Sequence, residues 1–209
     1  MNLSMAPDLV VRSAQKIGLG YFHAPNIHPV YLQFQALRRK IQSRTLFNIL
    51  GPVLNPVVVD YQILGVSSPA LLSLYAKLLP QIGRKSALLI QGAQGMDEIT
   101  TLGLSQGLKL DGSKAKRWIL NPCGLGFKRG NIAELQIRSI QHAKSKATEI
   151  LKYKKQTTAS DSVILSAACG IWISGVAPSL QDGVAAARSA IDSGKSWSVL
   201  NQLIQFSNL

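Results

Sequence analysis

The spacing of apolar and polar residues predicts a chain of helices and short strands. Apolar residues recur at helical spacing from Leu9 to Ile17, and Gly18 follows at the position of a C-cap. Residues 21 and 22 predict a short strand that ends before the next proline. From Pro29 to Lys40 the pattern predicts a helix with a proline in its first turn, where a missing N–H costs little.

The middle of the chain has a strand-helix-strand pattern. Strands are predicted at Tyr61–Val66 and Ala87–Gln91, with a helix at Pro69–Gln81 between them. Two strands joined by a helix favour a parallel crossover. The run Ser86–Gln91 is almost continuously apolar, as in a strand buried on both faces. We therefore expect an α/β fold with a central, mostly parallel sheet flanked by helices.

The rest of the chain is predicted to be mostly helical after two further short strands. The strands are expected near Gly107–Leu110 and Trp118–Leu120, and residues 152–158 have the composition of a surface loop. A length of 209 residues suits one domain, which we expect to cover residues 1–209. The predicted helices are Ile132–Leu151, Ser160–Gly175, Gln181–Ser193 and Ser196–Phe206.

Charge is the unusual feature of the composition. The chain has 23 Lys and Arg against 10 Asp and Glu, a formal net charge of +13. This balance favours an anionic partner, which could be a phosphorylated substrate, nucleic acid or an acidic protein surface. A solvated basic face would give the same composition, so charge alone does not choose among these partners.

Targeting and cysteine signals are weak. The sequence has no uninterrupted apolar run of membrane-spanning length and no secretory signal pattern at its start, so we expect a soluble cytoplasmic protein with no membrane partner. Cys123 and Cys169 lie far apart, outside any Cys-x-x-Cys or Cys/His cluster. We therefore expect neither a zinc site nor a disulfide framework.

Asp97 and Glu98 form the sharpest local motif. They follow the buried strand and the glycine-containing loop Gly92–Gly95. Ligands of α/β proteins bind beyond the carboxyl ends of the strands, and Mg²⁺ is held by few carboxylates together with phosphate oxygens and water. The pair is therefore a candidate Mg²⁺ site. It could instead cap the next segment or lie in solvent.

Two other groups of residues are candidates for substrate binding. His28 precedes Pro29, and Arg38 stands at the far end of the predicted helix, where a guanidinium can bind a carboxylate through two hydrogen bonds. Gly51 and Pro52 constrain the backbone and let a flat ligand approach closely. A His-Pro turn, a basic helix end and a Gly-Pro turn are also common for purely structural reasons.

In their order along the chain, these segments resemble the anthranilate phosphoribosyltransferase family, which shares its fold with pyrimidine nucleoside phosphorylases. The resemblance covers nearly the whole chain. It implies a phosphoribosyltransferase-type α/β domain without the family's N-terminal helical domain. The residues that carry it are His28-Pro29, Arg38, Arg44 to Pro56, Gln62 to Val66, Gly95 to Glu98, and Gly183 to Gly194.

The resemblance also implies roles for these residues. Asp97 and Glu98 would hold Mg²⁺ on the pyrophosphate of phosphoribosyl pyrophosphate, and Arg38 would bind the carboxylate of anthranilate. His28, Gly51 and Pro52 would line the aromatic pocket. The implied reaction belongs to tryptophan biosynthesis and transfers phosphoribosyl to the amine of anthranilate without a protein nucleophile.

The sequence departs from the family in two respects. The Gly-Thr-Gly-Gly-Asp loop that cradles pyrophosphate in the family does not occur, and residues 134–143 lack the usual Gly-Gly-Asp followed by Asn-Ala. We therefore expect no autonomous turnover from this chain, and either a shortened or split transferase that needs a complementing chain, or a diverged paralogue. The alternatives are a non-catalytic basic scaffold that binds nucleic acid, and an interaction subunit that associates with itself or a partner.

Overall fold

The first helix begins and ends close to the predicted residues. In the computed structural model, α1 spans Pro7–Ile17 and ends at Gly18, whose φ of +81° is the left-handed conformation that glycine adopts readily. α2 is a single turn, Ala24–Ile27. The strand predicted at residues 21 and 22 is wrong: these residues belong to no strand, and Phe22 packs against a small apolar cluster instead.

The structure describes residues 1–30, 34, 40 and 49–209. Most of the helix predicted at Pro29–Lys40, including Arg38, lies outside the described residues. By their contacts, the residues group into two units, Met1–Val58 with Lys195–Leu209, and Val59–Gly194. We call them the first and the second unit. The expectation of one domain over residues 1–209 stays a prediction.

The predicted strand-helix-strand pattern forms the start of the sheet in the second unit. β1 spans Tyr61–Gly65, α3 spans Pro69–Gln81 and β2 spans Ser86–Gln91. β1 and β2 pair in parallel, as the crossover predicts. The side chains of residues 87–90 in β2 are at most 1% exposed, which explains why β2 has a continuous apolar run.

The other two strands form a hairpin that corrects the expected sheet type. β3 spans Ser105–Asp111 and β4 spans Lys114–Leu120, so only residues 112 and 113 connect them. A two-residue connection joins antiparallel strands only, and β3 also runs antiparallel to β2. In the described residues the sheet therefore has one parallel and two antiparallel pairings, in the order β1-β2-β3-β4. The expected α/β class with flanking helices is confirmed.

Four helices follow the sheet, where the sequence predicts them. The predicted helix from residue 132 is interrupted, because residues 132–134 form a separate 3-10 turn and Ser139 caps the helix that follows. Among the described residues, no helix is both long and apolar enough to span a membrane. The helices are α4 (Ile140–Leu151), α5 (Thr158–Ile173), α6 (Leu180–Asp192) and α7 (Lys195–Phe206).

Each unit has its own apolar cluster. In the first unit Met5, Val10 and Leu203 pack together, so that α1 lies against α7. In the second unit α5 packs on the sheet and on α6. α5 and α6 approach closely at Gly183, where a Cβ would lie 2.7 Å from the main-chain oxygen of Ala168. The position of α5 over β1 and β2 provides one wall of the cleft described next.

Candidate functional site

The acidic pair lies in a tight loop directly after β2. Residues 93–95 form a 3-10 turn in which Gln94 and Gly95 both have positive φ. The main-chain N–H of Gly92 donates to the main-chain oxygen of Met96 at 2.7 Å, which closes the loop. The chain thereby turns back toward the carboxyl ends of β1 and β2 just before Asp97 and Glu98.

Two glycines let this loop lie directly against the ends of the strands. A Cβ built on Gly65, the last residue of β1, would overlap the main-chain oxygen of Asp97, and one built on Gly92 would overlap that of Glu98. The two Cβ–oxygen distances would be 1.6 and 1.9 Å, whereas real Cβ atoms essentially never approach another heavy atom closer than 3.0 Å. The main chain of the acidic pair is therefore positioned by the sheet itself.

Asp97 and Glu98 line a cleft of about 570 Å³ in the second unit. Its apolar lining comes from β1, β2, the acidic loop and α5. The acidic side chains are exposed, and no Lys, Arg or His is among the described residues that line the cleft. The lining residues are Ile63, Gly65, Ile90, Asp97, Glu98, Ile99, Leu135, Ala159, Ser162, Val163 and Ser166.

The oxygen atoms of this cleft fit a hard divalent cation. Carboxylate and hydroxyl oxygens suit Mg²⁺, which keeps several water or phosphate ligands and takes only one or two carboxylates from the protein. No group of three or more His, Cys, Asp or Glu residues gathers anywhere in the described part of the chain. Asp97 and Glu98 could thus supply a part of a Mg²⁺ coordination shell, with the remainder from other molecules.

The hydroxyl groups on the opposite wall of the cleft are not among the site residues that the sequence predicts. Ala159, Ser162 and Ser166 occupy one face of α5, because residues three, four and seven positions apart lie above one another on a helix. The spacing was visible in the sequence. What marks this face as part of the acidic cleft is the packing of α5 on the sheet, which the sequence does not display.

A second cleft, of about 290 Å³, lies in the first unit and contains three of the predicted substrate residues. His28, Gly51 and Pro52 all line it, together with Phe22 and Asn55. These residues are brought together although more than twenty positions separate His28 from Gly51. Their role in binding anthranilate stays a prediction.

The ring of His28 is fixed against the far side of the Gly-Pro turn. Its Nε2 lies 2.9 Å from the main-chain oxygen of Leu54. Because a carbonyl oxygen only accepts, Nε2 carries the proton of this hydrogen bond. The hydrogen bond connects residues 26 positions apart and so holds the His28 segment and the Gly51–Val53 turn on the same cleft.

Arg38, which should bind a carboxylate, lies outside the described residues. The acidic pair belongs to the second unit, and the cleft of His28 belongs to the first unit. The expectation that the acidic loop and the Arg38 guanidinium share one cavity therefore stays a prediction.

The glycosyl transferase family, a/b domain, matches residues 1–197, and the chain belongs to this family. Anthranilate phosphoribosyltransferase from Chromobacterium violaceum is 34% identical over 207 residues, which is 99% of this chain and 60% of that protein. The enzyme of the same name from Nitrosomonas europaea is 33% identical and is covered to 61% of its length. The chain thus spans about 60% of the length of these curated relatives.

The solved structures agree in fold. The crystal structure of anthranilate phosphoribosyltransferase from Thermus thermophilus matches with a TM-score of 0.90 and 30% identity, over 100% of this chain and 62% of that one. The Saccharomyces cerevisiae enzyme in complex with PRPP and Mg also has a TM-score of 0.90. At 23% identity over 60% of its length, it shows the fold alone.

Proposed function

We propose that this chain provides the Mg²⁺-diphosphate site and the anthranilate site of a phosphoribosyltransferase that uses phosphoribosyl pyrophosphate and anthranilate. The observation that carries the proposal is the acidic pair, held over the carboxyl ends of β1 and β2 in a cleft that no described cation lines. A bare diphosphate would be repelled by the two carboxylates, so an anionic substrate needs a divalent cation to bind there.

The family and the relatives support this proposal. The relatives are called anthranilate phosphoribosyltransferase, and one solved structure of that name contains PRPP and Mg. Since residues 1–209 span about 60% of their length, their complete activity is proposed here only together with a glycine-rich pyrophosphate loop, which these residues do not contain.

In the proposed reaction the amine of anthranilate attacks C1 of the ribose. The new N–C1 bond forms as the C1–O bond to pyrophosphate breaks, pyrophosphate leaves with the electron pair, and the amine loses a proton to solvent. Bound Mg²⁺ would neutralise the developing charge on the leaving group. Asp97 and Glu98 contribute by fixing the position of the diphosphate, and positioning of the two reactants accounts for much of the rate.

The anthranilate site is proposed to involve Arg38 and the cleft of the first unit. Arg38 would pair with the carboxylate of anthranilate, while His28, Gly51 and Pro52 line the aromatic ring. Anthranilate affinity should fall at least about tenfold in Arg38→Ala, because a desolvated carboxylate loses a charged donor. Equal affinities of Arg38→Ala and the unmodified protein in calorimetry would remove Arg38 from the site.

The acidic pair is tested by binding of Mg²⁺ and inorganic pyrophosphate, which does not require turnover. Asp97→Asn and Glu98→Gln should each weaken Mg²⁺-dependent binding of pyrophosphate at least about tenfold, since each removes a charged ligand. Asp192→Asn removes an exposed carboxylate at the end of α6 and serves as the matched control. Equal binding by all three variants would refute the metal site.

Turnover is tested by following the fluorescence of anthranilate with phosphoribosyl pyrophosphate and Mg²⁺. We expect no consumption by the chain alone and measurable consumption when the N-terminal part of a relative that carries the glycine-rich loop is added. Consumption in the mixture should disappear with Asp97→Asn. Continued consumption by the Asp97→Asn mixture would exclude the proposed role of this carboxylate.

A second candidate function, binding of nucleic acid, is favoured by the β3–β4 hairpin. Lys109 lies directly opposite Lys116 in the register, while Lys114 lies opposite Asp111, the one acid of the hairpin, and Arg117 adds a cation on the other face. None of the four cations makes an ion pair with a described residue. Like charges that face each other destabilise a sheet, so a polyanion that neutralises them would bind favourably.

The salt dependence of DNA affinity distinguishes binding through phosphate contacts from nonspecific adsorption. If the hairpin contacts phosphates, DNA affinity should fall steeply between 50 and 200 mM salt, by an amount on the order of tenfold or more. The double substitution of Lys116 and Arg117 by Ala should make this dependence shallower. Failure to retain DNA even at low salt would eliminate the candidate.

A further inference from the structure

Nearly every hydroxyl group of α5 is committed to a hydrogen bond within the protein. The Thr158 hydroxyl accepts from the main-chain N–H of Asn131 at 2.9 Å, and Ser160 takes part in the capping box of the helix. The Ser162 hydroxyl donates to the main-chain oxygen of Thr158 at 2.7 Å. Ser166 differs, since its hydroxyl makes no hydrogen bond with any residue that the structure describes.

This difference is unusual for a serine in the middle of a helix. Such a hydroxyl commonly donates to the carbonyl oxygen four residues earlier, as Ser162 does. Ser166 could donate to the oxygen of Ser162 in the same way but does not. Its side chain is half-buried and lines the acidic cleft. A proton donor thus remains available on the wall of that cleft.

The chemistry of the cleft determines what this donor can serve. The acidic pair can hold a cation, and no described Lys, Arg or His on the lining can donate to an anion. The proton of Ser162 is already used, so at this face its oxygen can only accept. Ser166 is therefore the side chain of α5 that can donate to an anionic ligand held between the helix and the acidic loop.

We propose that the Ser166 hydroxyl donates a hydrogen bond to an oxygen of the diphosphate that Asp97 and Glu98 hold through Mg²⁺. This inference rests on the proposed function and adds a ligand-binding residue to it. The hydroxyl faces the diphosphate from α5 while the cation approaches it from the acidic loop. The α5 wall of the cleft would then bind the anionic diphosphate, and the acidic loop would bind the cation.

Calorimetric titration with Mg²⁺ and inorganic pyrophosphate tests the proposal, with Ser166→Ala as the variant and Ser189→Ala, at an exposed serine of α6 outside the acidic cleft, as the matched control. Ser166→Ala should weaken pyrophosphate binding about tenfold, which corresponds to about 1.4 kcal/mol, because a neutral donor to a charged oxygen is lost. Ser189→Ala should bind within about twofold of the unmodified protein, since the same substitution is made on a helix surface outside the cleft. Alanine is a better helix former than serine, so both variants should fold.

The possible failures are distinguishable. If Ser166→Ala binds as tightly as the unmodified protein while Asp97→Asn does not, the role of Ser166 is refuted and the metal site stands. An equal loss in Ser166→Ala and Ser189→Ala would also refute it, because the effect would then not depend on a hydroxyl group in the cleft. If the unmodified protein shows no Mg²⁺-dependent binding of pyrophosphate, the proposed function and this inference fall together.

Discussion

The main-chain oxygen of Asp97 occupies the space into which any side chain at Gly65 would project. This packing joins the last residue of β1 to the first acidic residue of the loop after β2. The φ of Gly65 is not positive, so it is the missing Cβ that matters here rather than backbone freedom. The position of the candidate metal ligands thus depends on a residue that cannot itself bind a metal.

Gly65→Ala should therefore damage both stability and metal binding. The added Cβ would force the end of β1 away from the acidic loop, and overpacking of this kind costs about 1–3 kcal/mol in the free energy of unfolding. Urea unfolding measures this loss of stability. Titration with Mn²⁺, which binds the same oxygen ligands as Mg²⁺, should show a lower metal affinity at the acidic loop.

Gly170→Ala is the matched control for Gly65→Ala. Gly170 lies within α5, and among the described residues a Cβ there would meet only Ile63, at an ordinary 3.6 Å. We expect this variant to be more stable by up to about 1 kcal/mol, because alanine favours the helix. If Gly65→Ala unfolded at the same urea concentration as the unmodified protein, the close packing of the acidic loop would be disproved.

How far the fold could be predicted differs between the two halves of the sheet. β2 was predictable because a strand buried on both faces needs a continuous apolar run, and the parallel pairing followed from the helix before it. The full length of β4 was not predictable, because its first half contains Lys114, Lys116 and Arg117, and charged residues are uncommon in strands. These residues form a strand because they pair with β3, and this tertiary contact cannot be predicted from local composition.

The candidate site residues also differ in how far the sequence alone predicts them. Asp97 and Glu98 could be singled out because they directly follow a buried strand. Ser166 could not, because a serine in an apolar helix gives no signal in the sequence. Its available hydroxyl becomes apparent only when its hydrogen bonds and the lining of the cleft are known.

The two cysteines should differ sharply in reactivity. Burial raises the pKa of the Cys169 thiol to about 12, and its side chain is fully buried in the core of the second unit. Cys123 is exposed. Because the thiolate is the reactive form, a thiol reagent at pH 8 should modify one cysteine of the folded protein quickly and the second only on unfolding.

Cys123→Ala provides the control for this assignment. The folded variant should show no fast reaction, while the urea-unfolded variant should react with one equivalent of reagent. Two fast equivalents from the folded, unmodified protein would contradict the burial of Cys169.

Stability at acidic pH should depend on Glu134. Its carboxylate accepts a hydrogen bond from the main-chain N–H of Thr158, the first residue of α5, at 2.6 Å. The hydrogen bonds from Thr158, with smaller contributions from Lys146 and Lys155, lower the pKa of Glu134. A carboxyl group whose pKa is lower in the folded state contributes stability above its unfolded pKa, roughly 4.3, and loses it as pH falls through the folded pKa.

Glu134→Gln should therefore reduce stability at pH 7, and the difference from the unmodified protein should shrink as the pH falls below roughly 4.3. Glutamine keeps an acceptor for Thr158 but has no charge, so the variant isolates the contribution of the ionised carboxylate. Urea midpoints measured from pH 7 to pH 3 test this expectation. Parallel pH profiles for the two proteins would show that Glu134 has the same pKa folded and unfolded.

The cap of α5 should be a measurable source of stability for the wall of the acidic cleft. The Thr157 side chain accepts from the main-chain N–H of Ser160 at 3.2 Å, and the Ser160 hydroxyl accepts from the main-chain N–H of Thr157 at 2.7 Å. Thr157→Ala leaves one of these N–H groups without its partner, which should cost about 1 kcal/mol in urea unfolding. Thr157→Ser retains the oxygen and should unfold within a few tenths of a kcal/mol of the unmodified protein, roughly the spread among good capping residues. A loss of the same size in both variants would mean that the threonine methyl group, and not the capping oxygen, stabilises the start of α5.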